Sequence, residues 1–250
     1  IDVYETENKR SGAYSWGAYG THPYVLLNHS NTTHDLFTIA HELGHSMHSY
    51  YSEQTQPHAK AHYSIFVAEV ASTVNEVLLL KHLIATAEDA NVRKFLLSYY
   101  LDMFRTTLFR QTMFAEFEKL SHDMAAKGAP LTPKSLSDKY YKLNKKYYGK
   151  AVTHDNLIRY EWARIPHFYT AFYVYKYATG LTAAVNIANA ILSKGDAAVA
   201  NYKKFLQSGG SDSPYELLKI AGVDLMQKAP FERAMNEFKN TLELLKKELK

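Results

Sequence analysis

The sequence predicts a mainly α fold, a multi-helix domain with a small β element near its N-terminus. Three observations carry this. Apolar residues recur at helical spacing in most segments after residue 30. Residues that start and stop helices bracket those segments. Only the first thirty residues show the glycine-punctuated alternation of short strands.

In chain order, "GAYSWGAYGTHPYVLLNH" comes first. Gly12, Gly17 and Gly20 separate short extended pieces, and Pro23 to Asn28 has strand composition. Thr32, with Asp35 three residues on, resembles a capping box, and Leu36, Ile39, Ala40, Leu43 and Met47 then keep helical spacing. A second helix is expected from about Tyr63 to Ala87. A third, long and unbroken, is expected from about Asn91 to Lys127, stopping at "GAP". Thr132 and Pro133 start a fourth, which ends near Gly149. After "RIPHFYTAFYVYKYATG" come a helix up to Gly195 and another up to "SGG". A short helix follows with Ser213 as N-cap, Pro214 as first helical residue and Glu216 as return partner. The last helix carries a lysine-rich end. With no internal repeat and no low-complexity linker, residues 1–250 read as a single domain.

Composition narrows the function. The chain has no cysteine, which excludes disulfides, thiolate metal sites and a cysteine nucleophile and suits a reducing compartment. The net charge is only +4, with lysines spread over helix faces and gathered in "LLKKELK", so no nucleic-acid footprint is read here. No apolar run approaches the roughly 20 residues that span a bilayer, and no signal-peptide pattern opens the chain. The opening "IDVYETENKRSGAYSWG" reads as the middle of a domain, so a longer parent protein is expected.

"HELGHSMHSYY", residues 41 to 51, carries the chemistry. Residues four apart share one helix face, so His41 and His45 present two imidazoles to one point, the way a helix supplies nitrogen ligands to zinc. Glu42 is rotated about 100° away, within reach of a water at the metal without ligating it. A third protein ligand is needed, and without cysteine it must be His, Asp or Glu. Glu69, in the apolar "FVAEVASTVNE", is costly to bury unless it meets a cation. Glu76, two turns further along the same face, is placed to orient a ligand histidine. His48 extends the histidine face of the first helix, either supporting the ligands or as an ordinary core-edge histidine.

A third cluster, "RIPHFYTAFYVYKYATG", combines His167 with Tyr169, Tyr173, Tyr175 and Tyr177. It reads either as cleft wall or as phenol and imidazole donors for an oxyanion.

Taken together, "SGAYSWGAYGTHPYVLLN", "HELGHSMHSYYS", "FVAEVASTVNE", "FRQTMFAEFE", "IPHFYTAFYVYKYATG" and "SGGSDSPYELLKIAGVD" resemble the oligoendopeptidase F branch of the thimet-oligopeptidase-like family of zinc metallopeptidases. The resemblance runs in order along essentially the whole chain. It implies a helical, zincin-like catalytic domain enclosing a deep channel, in a cytoplasmic bacterial enzyme that cuts internal bonds of short peptides. It also implies one zinc ion held by His41, His45 and Glu69, Glu42 as general base, and a carbonyl-binding segment from His167 to Tyr177. Family members carry a large amino-terminal helical portion with no counterpart here, so a missing amino-terminal partner or self-association is expected.

The chain is therefore expected to be the catalytic portion of a zinc endo-oligopeptidase, with oligopeptides as substrates and no nucleic-acid or membrane partner. Glu42, His167, Tyr177 and Tyr173 are its catalytic candidates. "PYVLLN" serves either as a strand to which substrate backbone adds or as a structural hairpin. Two other readings stand beside this one: a carboxypeptidase-like exopeptidase, with Arg105, Arg110 or Arg164 holding a peptide terminus, and a non-catalytic metal-binding helical module.

Overall fold

The computed structural model describes residues 1–250 and is mainly helical, with one two-stranded sheet. Two compact units divide it: residues 1–101 with 180–250, and residues 102–179.

In the larger unit, β1 (Tyr14–Trp16) and β2 (Tyr24–Leu26) pair antiparallel, with Ser15 opposite Val25. The Asp2 backbone flanks β2 on its other side: its amide donates to the Val25 carbonyl at 2.8 Å, and its carbonyl accepts from the Leu27 amide at 2.8 Å. "PYVLLN" thus has a backbone partner on both edges, and the hairpin reading holds for it. Alternation does the rest: Tyr14 and Trp16 face solvent, while Ser15 faces inward and meets Ser46 Oγ at 2.9 Å.

Helix α1 (Thr33–Thr55) begins at the expected capping box, with the Thr32 hydroxyl accepting from the Asp35 amide while the Asp35 carboxylate accepts from the Thr32 amide. It packs on α3 (Ile65–Thr86) and α8 (Asp196–Gln207). A one-turn helix, α2 (His58–Ala61), precedes α3 and escaped the sequence reading because four residues carry no period. The apolar face of α3 fills the core: Val67, Val70, Ala71 and Val74 are buried with Ala183, Ala184 and Ile187 of α7 (Tyr175–Lys194) and with Phe205 and Leu206.

Gly44 is where α1 and α3 meet. A Cβ there would stand 2.5 Å from the Ser72 Cα and 2.8 Å from the Ala71 carbonyl oxygen, so no larger residue fits that crossing. His48, one turn further, lies in the core with its ring stacked on Tyr63 at 3.6 Å between centroids. Of its two readings, the packing one is correct.

The third helix is not continuous. It divides into α4 (Ala90–Met103), a π-helical turn (Phe104–Phe109) and α5 (Arg110–Ala126). Apolar periodicity does not register a single wide turn, so the spacing alone predicted one rod. Thr132 caps α6 (Pro133–Tyr148), which ends at Gly149 with φ +68. The segment after it forms 3-10 turns at Asn156–Arg164 and Pro166–Tyr169. In this smaller unit Met113, Phe114, Phe117, Tyr140, Leu143, Ile165 and Val174 make the core.

Near the end of the chain, Ser213 caps α9 (Pro214–Ile220) through the Glu216 amide. The Glu216 carboxylate pairs with Lys219 at 2.9 Å instead of returning to the cap, which corrects the expectation for that side chain. Helix α10 (Ala229–Glu248) closes the chain.

Candidate active site

His41 and His45 project from one face of α1 toward Glu69 on α3. Their Nε2 atoms are 3.2 Å apart, and the Glu69 carboxylate lies 3.4 Å from His41 Nε2. All three donor atoms fall within 4.8 Å of one another. The second nitrogen of each ring is already committed. His41 Nδ1 meets Glu76 at 2.6 Å, and the His45 ring hydrogen-bonds the Ala68 backbone carbonyl. With those protons so placed, two imidazole lone pairs and a carboxylate converge on one point.

Such a convergence is repulsive unless a cation sits in it. A proton can supply that charge. Burial pulls His41 toward neutrality, but the hydrogen bonds it donates to Glu69 and Glu76 outweigh that and raise its pKa to about 10. Burial and the His41 charge lower His45 to about 4. Glu69 stays ionised, since His41 and His45 overcome the effect of burial and lower its pKa. A metal ion fits the same point. Tetrahedral bonds of roughly 2.0–2.1 Å place ligand atoms roughly 3.3–3.4 Å apart, close to the His41–His45 and His41–Glu69 separations.

Glu42 is buried on the neighbouring face of α1, its Oε2 without a hydrogen-bond partner. The Ser15 amide of β1 holds the carboxylate. Burial raises its pKa, which moves a carboxylate toward the range a general base needs. These residues line a cleft of about 500 Å³ whose walls include β1, Ser49, Glu53 and Tyr63. No Lys or Arg lines it.

The predicted residues fall into two groups. His41, Glu42, His45, Glu69 and Glu76 come together in the larger unit. His167, Tyr173 and Tyr177 come together in the smaller one, with Tyr177 Oη 3.3 Å from His167 Nε2 and the Tyr173 ring stacked on His167 at 5.2 Å. Tyr169 is exposed, its hydroxyl donating to the Ala163 carbonyl. The arginines considered for a peptide terminus are engaged by two carboxylates: Arg105 pairs with Asp102 at 2.6 Å, and Arg110 and Arg164 share Glu161, each at 2.7 Å. Sequence reasoning missed Ser15 and Gly44, although "HELGH" itself holds the glycine and "GAYSWG" the serine.

A family-wide sequence comparison matches residues 1–237 to peptidase family M3. The chain belongs to peptidase family M3. Within it, the M3 chain is 52% identical to oligopeptidase PepF of Bacillus subtilis over 97% of its own length, but spans 36% of that protein. It is 47% identical to an oligoendopeptidase F homologue of Borreliella burgdorferi, covering 99% of itself and 42% of the relative. The crystal structure of oligoendopeptidase-F from Enterococcus faecium superposes with a TM-score of 0.77 at 48% identity, over 86% of this chain and 39% of that one. The chain thus spans about two fifths of the length of these M3 relatives. Its helical architecture agrees with that of the Enterococcus faecium structure.

Proposed function

We propose that this M3 chain is the catalytic portion of a zinc-dependent endopeptidase that hydrolyses internal bonds of short oligopeptides. The observation that carries the reading is the convergence of His41, His45 and Glu69 beside a buried Glu42 whose Oε2 has no other partner. His41, His45 and Glu69 would hold one zinc ion, with Glu76 and the Ala68 carbonyl orienting the two rings. Bound zinc supplies a Lewis acid that polarises the scissile carbonyl and makes water nucleophilic near neutral pH.

The chain's own groups do the rest. Glu42 Oε2 takes a proton from the attacking water and returns it to the leaving amine. Tyr177 Oη and His167 Nε2 are the donors for the oxyanion, and Tyr173 keeps His167 in place by stacking. Substrate backbone adds to β1, which lines the cleft and is paired on one side only; this contact reads main chain and accepts many sequences. The endopeptidase reading gains from the cleft lining, which includes no Lys or Arg to hold a terminal carboxylate, and from Arg105 being engaged by Asp102 and Arg110 and Arg164 by Glu161. We further place the enzyme in the cytoplasm, as the family resemblance implies, and infer an amino-terminal portion or self-association that completes the channel.

An internally quenched peptide blocked at both ends tests the reading, with zinc counted in the same preparation. Cleavage at internal bonds with one zinc per chain is expected. Trimming of unblocked ends alone would make it an exopeptidase. A full zinc equivalent without turnover would make it a binding module.

A further inference from the structure

Phe172 has φ +55, a left-handed conformation that bulky L residues rarely hold unless their surroundings impose it. What imposes it is on α5. The side chain of Glu118 is buried, 3% exposed, and its Oε1 accepts the Phe172 backbone N–H at 2.6 Å. A charge-assisted bond to a backbone amide is short and strong, and a buried carboxylate is retained only where such a donor meets it. The Phe172 ring lies against His122, four residues after Glu118, at 4.6 Å between centroids.

The strained residue sits inside the stretch that carries the donors. Ile165 and Val174 are buried in the core of the smaller unit, and Phe168 packs on Phe114 and Phe117. Between these anchors His167 is left exposed. Tyr173, the residue after the strained one, stacks under it, and Tyr177 Oη meets its Nε2 at 3.3 Å. With Ile165, Phe168 and Val174 fixed, the turn at Phe172 decides where Tyr173 stands relative to His167, whose Nε2 Tyr177 Oη meets from α7. The motif "FRQTMFAEFE" then has a physical role: Arg110 ties Asn156–Arg164 through Glu161, and Glu118 ties the turn eight residues beyond it.

We propose that Glu118 is a positioning residue: its buried carboxylate clamps the strained Phe172 turn and so presets Tyr173 under His167, and with it the His167 and Tyr177 donors for the oxyanion. The strain belongs to the mechanism, because a relaxed turn would let the donors wander. This rests on the functional reading above, and two kinds of measurement separate the two.

The first does not need turnover. Amide hydrogen exchange at Phe172 should be slow in the wild-type protein and in Glu118→Gln, whose amide oxygen still accepts the bond, and fast in Glu118→Leu. The second uses the full-length, zinc-loaded enzyme. Phe172→Gly relieves the strain, since glycine adopts φ +55 freely, so its melting temperature should stay equal or rise. Its kcat should nevertheless fall at least tenfold, toward the roughly 10²–10³ that loss of an oxyanion donor costs, with KM within about twofold. Glu118→Leu should lose kcat similarly and Glu118→Gln should keep most of it. A merely structural clamp cannot make Phe172→Gly stable and slow together. Fast exchange at Phe172 in the wild type, or a Phe172→Gly enzyme with unchanged kcat, overturns the proposal. Should the exchange pattern hold while neither these variants nor Tyr177→Phe alters turnover, the oxyanion reading of the cluster fails instead.

Discussion

His41 Nδ1 and the Glu76 carboxylate lie 2.6 Å apart, joining α1 to α3. This contact fixes which ring nitrogen of His41 keeps its proton and which one faces Glu69. Removing such an outer partner of a ligand histidine typically costs 10–100-fold in metal affinity. Glu76→Ala should therefore weaken zinc binding by about that factor in a competitive chelator titration, with the helix content unchanged. Glu76→Gln should be milder, because the amide oxygen still accepts the Nδ1 proton.

The same geometry sets a pH dependence for metal uptake. In the metal-free protein His41 is raised to about 10 and His45 lowered to about 4. Across the physiological range one proton therefore occupies the point that the metal needs. Binding should release about one proton per zinc, and apparent affinity should fall about tenfold for each pH unit below 10. The slope should steepen only when His45 begins to titrate near 4. Calorimetry in buffers of different ionisation enthalpy reads the proton count, and zero protons released at pH 7 would contradict the assignment.

Gly44 sits at a close approach between α1 and α3, the two helices that carry His41, His45 and Glu69. A methyl group there meets backbone at 2.5 Å, and backbone cannot rotate away as a side chain can. Gly44→Ala should cost about 1–3 kcal/mol in stability and weaken zinc binding further by spreading His45 from Glu69. A Gly44→Ala protein with wild-type melting and zinc affinity would show that the crossing is looser than described.

The tyrosine cluster separates by hydroxyl. Tyr177 Oη is at 3.3 Å from His167 Nε2, whereas Tyr175, two residues earlier, is partly exposed. Tyr177→Phe keeps the ring and removes one donor, so kcat should fall on the order of 10²–10³ with zinc content and folding intact. Tyr175→Phe should be close to wild type. Equal losses in both would point to packing rather than donation.

The fold and the candidate site were legible in the sequence to different depths. Periodicity and caps located the helices because burial and unsatisfied backbone ends leave local marks: Thr32 with Asp35, Pro214 after Ser213, Gly149 at its turn. The convergence of His41, His45 and Glu69 was legible because an i, i+4 histidine pair defines a point in space, and Glu69 stood out as a charge among small apolar residues. What stayed hidden depends on contacts between distant segments. The Ser15 amide on Glu42 and the Glu118 grip on Phe172 are bonds to backbone groups, which every residue carries, so no side-chain pattern announces them. The π-helical turn was hidden because one wide turn shifts the period too little to register.

Glu42 bears the central claim, since it alone distinguishes a catalytic centre from a metal-binding helix pair. The measurement is turnover of an end-blocked, internally quenched peptide by the Glu42→Gln protein, with zinc counted in the same sample. The substitution keeps the shape and the Ser15 contact but cannot accept a proton from water. Internal cleavage should collapse by several orders of magnitude while one zinc per chain remains. Turnover near the wild-type rate with zinc in place would contradict the account and remove Glu42 from the mechanism.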